Sequence, residues 1–257
     1  GANNTSHHKH FTFQSSPTML GGVFTREWAL VSIALFDLDN TLIGGDSDFL
    51  WGCFLAERGI VDRDLYEKKN RHFYDQYMAG ELDIHEFLRF QLKLLAEHDM
   101  MTLNDWRNDY ITEKIRPVLL PKARSLIEAH RTQGETPVII TATNRFITRP
   151  IAALYGVDQL LATEPEIIDG RYTGNVLGIP CFQDGKVHKL ASWLEQNGET
   201  LEDSWFYSDS HNDLPLLSKV THPVAVDPDD ILKQHAETRG WRIISLRDQE
   251  PVKLRQS

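Results

Sequence analysis

Three short apolar runs, each ending abruptly in polar residues able to do chemistry, constrain this chain more than any other feature. Residues 30–36 run into Asp37-Leu38-Asp39-Asn40-Thr41, residues 137–140 into Thr141, and residues 204–207 into Ser208-Asp209. A strand covered on both faces of a parallel sheet needs such uninterrupted apolar composition, whereas a half-solvated strand alternates. Helical patterns at 146–155 and 212–219 follow the second and third runs, and another at 185–196 precedes the third. Strands alternating with helices predict right-handed crossovers and an α/β fold with a doubly wound parallel sheet. Ligands of such sheets bind at the carboxyl ends of the strands, where all three polar clusters fall.

The stretch from Asp37 to Thr141 is far longer than one crossover helix needs. Most of it reads as helices at 46–58, 62–78, 81–97 and 102–116, with Gly59 and Gly80 placed as helix ends and Ile84, Phe87, Leu88 and Leu95 on one apolar stripe. Residues 46–116 are therefore expected to form an inserted helical-bundle cap, with 29–45 and 117–257 as the core and 1–28 as a flexible tail. Between Thr141 and Lys186 there is room for a helix, a strand and a turn-rich hairpin at 167–179, but not for a second cap. Of the cap aromatics Trp51, Phe54, Phe73, Tyr74, Tyr77, Phe87 and Phe90, most are expected as inter-helix core. Trp51 is singled out to close over a substrate.

Composition narrows the partners. The 37 Asp and Glu against 27 Lys and Arg leave a net charge of −10, which argues against nucleic acid and anionic membrane surfaces. No apolar stretch approaches the roughly 20 residues of a bilayer span. The two cysteines, Cys53 and Cys181, form no CxxC pair, which indicates neither a disulfide framework nor a zinc cluster and suits a cytoplasmic location. His7, His8 and His10 in the polar tail are loose metal-binding candidates.

Asp37 and Asp39, two apart at a strand end, repel each other unless one is protonated or a cation sits between them. A nucleophilic carboxylate and a partner that trades protons need such a pair; read alone, the same residues also make an Asx-rich turn. Asp209 and Asp213 supply the oxygen ligands that Mg²⁺ selects, or start a helix. The Thr141 hydroxyl can donate to a phosphoryl oxygen, and Lys186, with Lys189 as rival, can neutralise charge on a transferring group. His211 is read as structural rather than as a base.

In this order, Asp37-x-Asp39-x-Thr41, Thr141, Lys186 and Ser208-Asp209-Ser210-His211-Asn212-Asp213 resemble the four motifs of the haloacid dehalogenase-like (HAD) superfamily, across residues 32–230. The segments FDLDNTL, GDSDFLW, VIITATN, GKVHKL and SDSHNDLPLL look like its subfamily IB, which has a helical cap and includes phosphoserine phosphatase. The resemblance implies a Rossmann-like core on which Asp37 is the nucleophile that forms an aspartyl-phosphate and Asp39 the general acid/base. Thr141 and Lys186 would hold the phosphoryl oxygens. Mg²⁺ would be bound by Asp37, the Asp39 backbone carbonyl and Asp209, with Asp213 or Asn212 in support. Dehalogenases of the superfamily lack the second carboxylate, so Asp39 favours phosphoryl transfer.

The amine-binding Glu of phosphoserine phosphatases corresponds to Asp46 here, and their carboxylate-binding Arg to Gln91, with Arg89 two positions away. Losing that fork weakens the case for a carboxylate-bearing substrate, whereas Asp46 and Asp48 can still receive an amine, if they do not simply cap a helix. Asn144, in the same segment as Thr141, joins the expected substrate contacts. The expectation is a Mg²⁺-dependent phosphomonoesterase acting on a small phosphoserine-like or histidinol phosphate-like ester. Phosphotransfer to an alcohol, a lipid phosphate substrate and a non-catalytic binding module are the alternatives.

Overall fold

The structure, a computed structural model, describes residues 32–247. The expected tail at 1–28 with its histidines, the first residues of the 30–36 run and residues 248–257 lie outside the described residues. The chain forms β1 (Ile33–Phe36), β2 (Thr136–Asn144), β3 (Gln159–Thr163), a hairpin of β4 (Pro165–Ile168) and β5 (Arg171–Val176), then β6 (Trp205–Ser208), β7 (His222–Val226) and β8 (Arg242–Ile244). Six strands make one parallel sheet in the order β3-β2-β1-β6-β7-β8. Successive residues of β1 serve opposite faces. Ala34 and Phe36 join a cluster with Ile139, Tyr207 and Val224, while Ile33 and Leu35 join Val138, Ile140 and Phe206. Both faces are covered, which is why the run shows no alternation.

From β1 the chain builds outward to β3 on one side, and from β6 outward to β8 on the other. The switch point lies between β1 and β6, where the Asp37 amide donates to the Tyr207 carbonyl at 2.9 Å. The loops that leave these two strands diverge and open a crevice at their carboxyl ends.

Between β1 and β2 stand α1 (Ser47–Glu57), α2 (Arg63–Ala79), α3 (Ile84–Glu97) and α4 (Met100–Tyr110). Each is opened by an aspartate whose carboxylate accepts first-turn amides: Asp46 from Phe49, Asp62 from Leu65, Asp83 from His85 and Glu86, and Asp99 from Thr102. Such a cap contributes about 1 kcal/mol. Asp83 and Asp99 reset two expected boundaries, so that α3 starts after 83 rather than at 81 and α4 at Met100 rather than at 102. At its far end α4 passes into a π turn (Ile111–Ile115) and a 3-10 turn (Arg116–Val118), because Pro117 has no amide with which to continue the helix. The inserted segment leaves and returns side by side: the Gly44 amide donates to the Val118 carbonyl at 2.8 Å. The end of α2 lands on the loop after β6, where Asn212 Nδ2 donates to the Tyr77 carbonyl at 3.1 Å. A Cβ on Gly80 there would come within 2.5 Å of the His211 ring.

The core helices are α5 (Pro121–Thr132) and α6 (Arg145–Leu154), packed with the Phe36 cluster, and α7 (Asp184–Asn197), α8 (Leu214–Leu217) and α9 (Asp230–Arg239), packed with the Leu35 cluster. The hairpin turns through Asp169 and Gly170, both at positive φ, and lays Gly174 against Ala96 of α3. No helix among the described residues is long and apolar enough to cross a membrane.

Gly185 sets where α7 begins: a Cβ on it would sit 1.9 Å from the Pro180 carbonyl oxygen, and that backbone cannot yield cheaply. Gly185→Ala is expected to displace the first turn of α7 and to lower unfolding stability by about 1–3 kcal/mol, read as a fall in the urea midpoint at unchanged m-value.

Candidate active site

The turn after β1 is wound around one carbonyl. Leu38 O accepts the amides of Thr41, Leu42 and Ile43, and Asn40 sits at φ 55°. This turn buries Asp37 and Asp39 at the crevice floor, with 4% and 8% of their surface exposed. From the first turn of α7, Lys186 Nζ reaches Asp37 Oδ1 at 2.8 Å and both oxygens of Asp213, at 2.8 and 2.9 Å. Ser208 donates to Asp213 Oδ2 at 2.6 Å. The Thr41 hydroxyl lies 3.3 Å from Asp37 Oδ2 and 3.0 Å from Asp209 Oδ1, and it accepts the Asp209 amide.

Asp39 faces the other way. Its Oδ1 accepts the Ser47 amide at 2.6 Å, and its Oδ2 lies 2.8 Å from the Thr143 hydroxyl and 3.4 Å from that of Thr141. Thr143 Oγ1 is also 3.1 Å from Asp48 Oδ2. One hydroxyl hydrogen serves one acceptor, so the second contact is made by a protonated carboxyl. Burial raises both carboxyls above the usual carboxylate range, Asp48 also through the charges of Asp46 and Asp39, so either can carry that proton.

Above this floor opens a narrow cleft, lined by Asp37, Asp39, Asp46, Asp48, Lys186 and Asp213 and, on the α2 and α3 side, by Asn70, Phe73, Tyr74, Tyr77 and Phe87. Asp46 caps α1 and also lines the cleft, so the capping and site readings hold together. The Thr141 hydroxyl is buried below the cleft, and the lining hydroxyl is Thr143, two residues on, because β2 continues as a strand to Asn144. Asn144 is away from the lining: it caps α6, accepting the Ile147 amide. Trp51 departs from its expected place. It stacks among Phe54, Tyr110 and Phe146 with 1% exposed, because the α1 face that carries it points into the packed interior. Arg89 is on the solvent side of α3, and Gln91, 2% exposed, is inside. His211 is fixed by Asp229 at 2.8 Å, and Lys189 is tied to the Ala162 carbonyl, which leaves Lys186 as the lysine at the floor. The cleft aromatics Phe73, Tyr74, Tyr77 and Phe87 carried no distinguishing mark in sequence, since the core-facing and cleft-facing stripes of a helix look alike.

The carboxylates outnumber the cation. Burial is the largest influence on Asp37: with Asp213 and Asp39 it outweighs Lys186 and pushes the pKa up to about 7. Burial and Asp39 push Asp46 up to about 7, and burial with Asp37 and Asp213 raises Asp209 strongly. Burial works against the Lys186 charge, but Asp213 and Asp37 overcome it and raise its pKa. Among the described residues no three such side chains converge as a ready ligand set. Mg²⁺, however, is usually held by one or two carboxylates with water and phosphate. Asp37 Oδ2 and Asp209 Oδ1, drawn toward one another across Thr41, fit that requirement, and their mutual repulsion is what a divalent cation relieves. Asp213 is engaged by Lys186, and the Asp39 side chain by Ser47 and Thr143.

A carboxyl raised in the folded state keeps a proton that the unfolded chain has already released, so it removes stability as pH rises from 3.8 toward about 7. Metal-free Asp37→Asn is therefore expected to be more stable than the parent at pH 8 by roughly 2 kcal/mol, or about 4–8 °C. The gap should close by pH 5, as read by thermal melts in EDTA at both pH values.

The haloacid dehalogenase-like hydrolase family model matches residues 34–218. A histidinol-phosphatase of Neisseria meningitidis serogroup C (strain 8013) is 41% identical over 220 residues, covering 84% of this chain and 99% of that protein. Phosphoserine phosphatase SerB1 of Mycobacterium tuberculosis is 32% identical over 221 residues, covering 85% and 72%. Among solved structures, a protein of unknown function from Bordetella pertussis Tohama I superposes with a TM-score of 0.80 at 42% identity, covering 85% of this chain and all of that one. A phosphoserine phosphatase trapped as a phospho-aspartyl intermediate analogue shares the fold, at TM-score 0.62 and 21% identity over 84% of this chain and 94% of that one. With its four motifs gathered at one switch point and the family model spanning most of the chain, the protein belongs to the haloacid dehalogenase-like hydrolases.

Proposed function

We propose that this protein is a Mg²⁺-dependent phosphomonoesterase that hydrolyses a small amino-alcohol phosphate, histidinol phosphate above phosphoserine. The observation that carries the reaction is the pairing at the crevice floor. Asp37, held by Lys186, presents a carboxylate oxygen, and Asp39, turned aside by Ser47 and Thr143, is kept free of Lys186.

Asp37 attacks phosphorus from one side while the alkoxide leaves on the other, and Asp39 gives that oxygen its proton. The resulting aspartyl-phosphate is opened by water, whose proton returns to Asp39. Lys186 meets the charge that accumulates on the phosphoryl oxygens, and Asp213 with Ser208 keeps its ammonium aimed at the reacting atoms. Asp37 and Asp209 would hold Mg²⁺, which would supply charge neutralisation for an anion entering a ring of carboxylates. Residues 46–116 act as the cap that excludes water, over a core of 29–45 and 117–257.

The organic end of the cleft supports the choice of substrate. Among the described residues that line it, Lys186 is the cation and it is taken by Asp37 and Asp213; Arg89 is outside. A carboxylate on the substrate meets no free cation among these residues, whereas an ammonium meets Asp46, which uses one oxygen to cap α1. The 41% identical relative is named for histidinol phosphate. The free thiols of Cys53 and Cys181 suit a cytoplasmic enzyme, and the acidic composition suits a small ester rather than nucleic acid.

Asp37→Asn is expected to lower kcat by roughly 10⁴-fold or more, and EDTA to abolish turnover that Mg²⁺ restores. On a panel of phosphomonoesters, kcat/KM for histidinol phosphate should exceed that for phosphoserine at least about tenfold. A wild-type rate in the Asp37→Asn protein, or a preference for phosphoserine, would overturn the corresponding half of the proposal.

A further inference from the structure

Three polar side chains, one lining the cleft and two on the α2 and α3 faces just beyond its lining, lack what burial demands. Asp48, 6% exposed, lines the cleft; Thr143 holds its Oδ2, but its Oδ1 is buried without a hydrogen-bond partner among the described residues. Among the described residues Gln91, 2% exposed, has neither Oε1 nor Nε2 paired, and the hydroxyl of Tyr66, 9% exposed, is likewise unpaired. Buried polar groups are otherwise almost always hydrogen-bonded, so three in one neighbourhood point to a ligand or to trapped water.

Helix periodicity places them together. On α2, Tyr66, Asn70, Phe73 and Tyr77 fall on one face at helical spacing, and the last three line the cleft. On α3, Ile84, Phe87 and Gln91 do the same, and the first two line it. Tyr66 and Gln91 thus continue these faces one turn beyond the lining residues. After burial itself, Asp48 is the foremost charge that raises the Tyr66 pKa, as nearness requires. The walls between are aromatic: Phe73 meets Phe87 edge-on with ring centres 5.4 Å apart, and Phe90 lies 4.6 Å from Tyr66.

We propose that the cleft extends between these side chains as a subsite for a nitrogen heterocycle on the substrate, with Asp48 Oδ1 accepting the ring N–H and the Gln91 amide or the Tyr66 hydroxyl donating to the remaining ring nitrogen. The assignment rests on the phosphomonoesterase reading and deepens it. A five-membered ring with one N–H and one acceptor nitrogen on a flat apolar body matches one acceptor, adjacent donors and aromatic walls. A phenyl ring of similar shape leaves the polar groups unpaired, which is the arrangement that gives the strongest discrimination. Asp46 takes the amine, so the two aspartates at the start of α1 divide the substrate between them.

The test compares histidinol phosphate with phenylalaninol phosphate, which keeps the amine and the shape but has no ring nitrogen, in the parent, Gln91→Leu and Tyr66→Phe proteins. The parent is expected to prefer histidinol phosphate by about 100-fold or more in kcat/KM. Each variant should cut that preference roughly tenfold, through KM rather than kcat. Tyr66→Phe removes a single oxygen and serves if Gln91→Leu folds poorly. Equal losses on both esters, or a parent that does not discriminate, would overturn the subsite. Calorimetric binding of histidinol and phenylalaninol separates this from the catalytic reading. Tighter histidinol binding that weakens in both variants supports the subsite even in a protein with no turnover, and equal binding of the two alcohols rejects it.

Discussion

The buried ammonium of Lys186 is the interaction on which the rest of this structure depends. It joins Asp37 at the end of β1 to Asp213 beyond the end of β6, so that one side chain ties both sides of the switch point to the start of α7. Removing Lys186 from such a buried set costs about 3–5 kcal/mol, since Asp37 and Asp213 are left desolvated without compensation. The sheet, the position of Gly185 against Pro180 and the tight turn around Leu38 can be read as the framework that holds this charge in place.

The arrangement is under-neutralised. Asp37, Asp39, Asp209 and Asp213 face one lysine, and burial with mutual repulsion raises the pKa values of Asp37, Asp39 and Asp209. A site in that condition favours whatever brings positive charge, first a divalent cation and then, at the aspartates of α1, a cationic organic group. The net charge of −10 therefore bears on polyanions but not on a small phosphate ester, because local charge at the floor decides what enters.

Most of the core site was legible in the sequence because parallel-strand ends are marked twice, by an uninterrupted apolar run and by the polar residues that stop it. Asp37, Asp39, Asp209 and Asp213 were found by that rule and Lys186 by its place after Gly185 at a helix start, and the structure brings them into one crevice. Thr143 escaped it, since the apolar run stops at Ile140 while the strand itself continues to Asn144. Trp51 misled for a different reason. Size and proximity to the first motif marked it, but the side of α1 on which it stands was settled by packing against Tyr110 and Phe146. The helix starts at Ile84 and Met100 were set by the caps Asp83 and Asp99, which compete with other plausible starts a few residues away.

The sequence by itself determined the parallel α/β core, the inserted helices and the chemical identity of the floor, because period, length and residue type are local properties. Only the tertiary structure decided which helical faces look into the cleft, which carboxylates Lys186 neutralises, and that Asp48 Oδ1, the Tyr66 hydroxyl and the Gln91 amide are buried without partners among the described residues. Those are properties of distance and desolvation between segments far apart in the chain, and no local pattern encodes them.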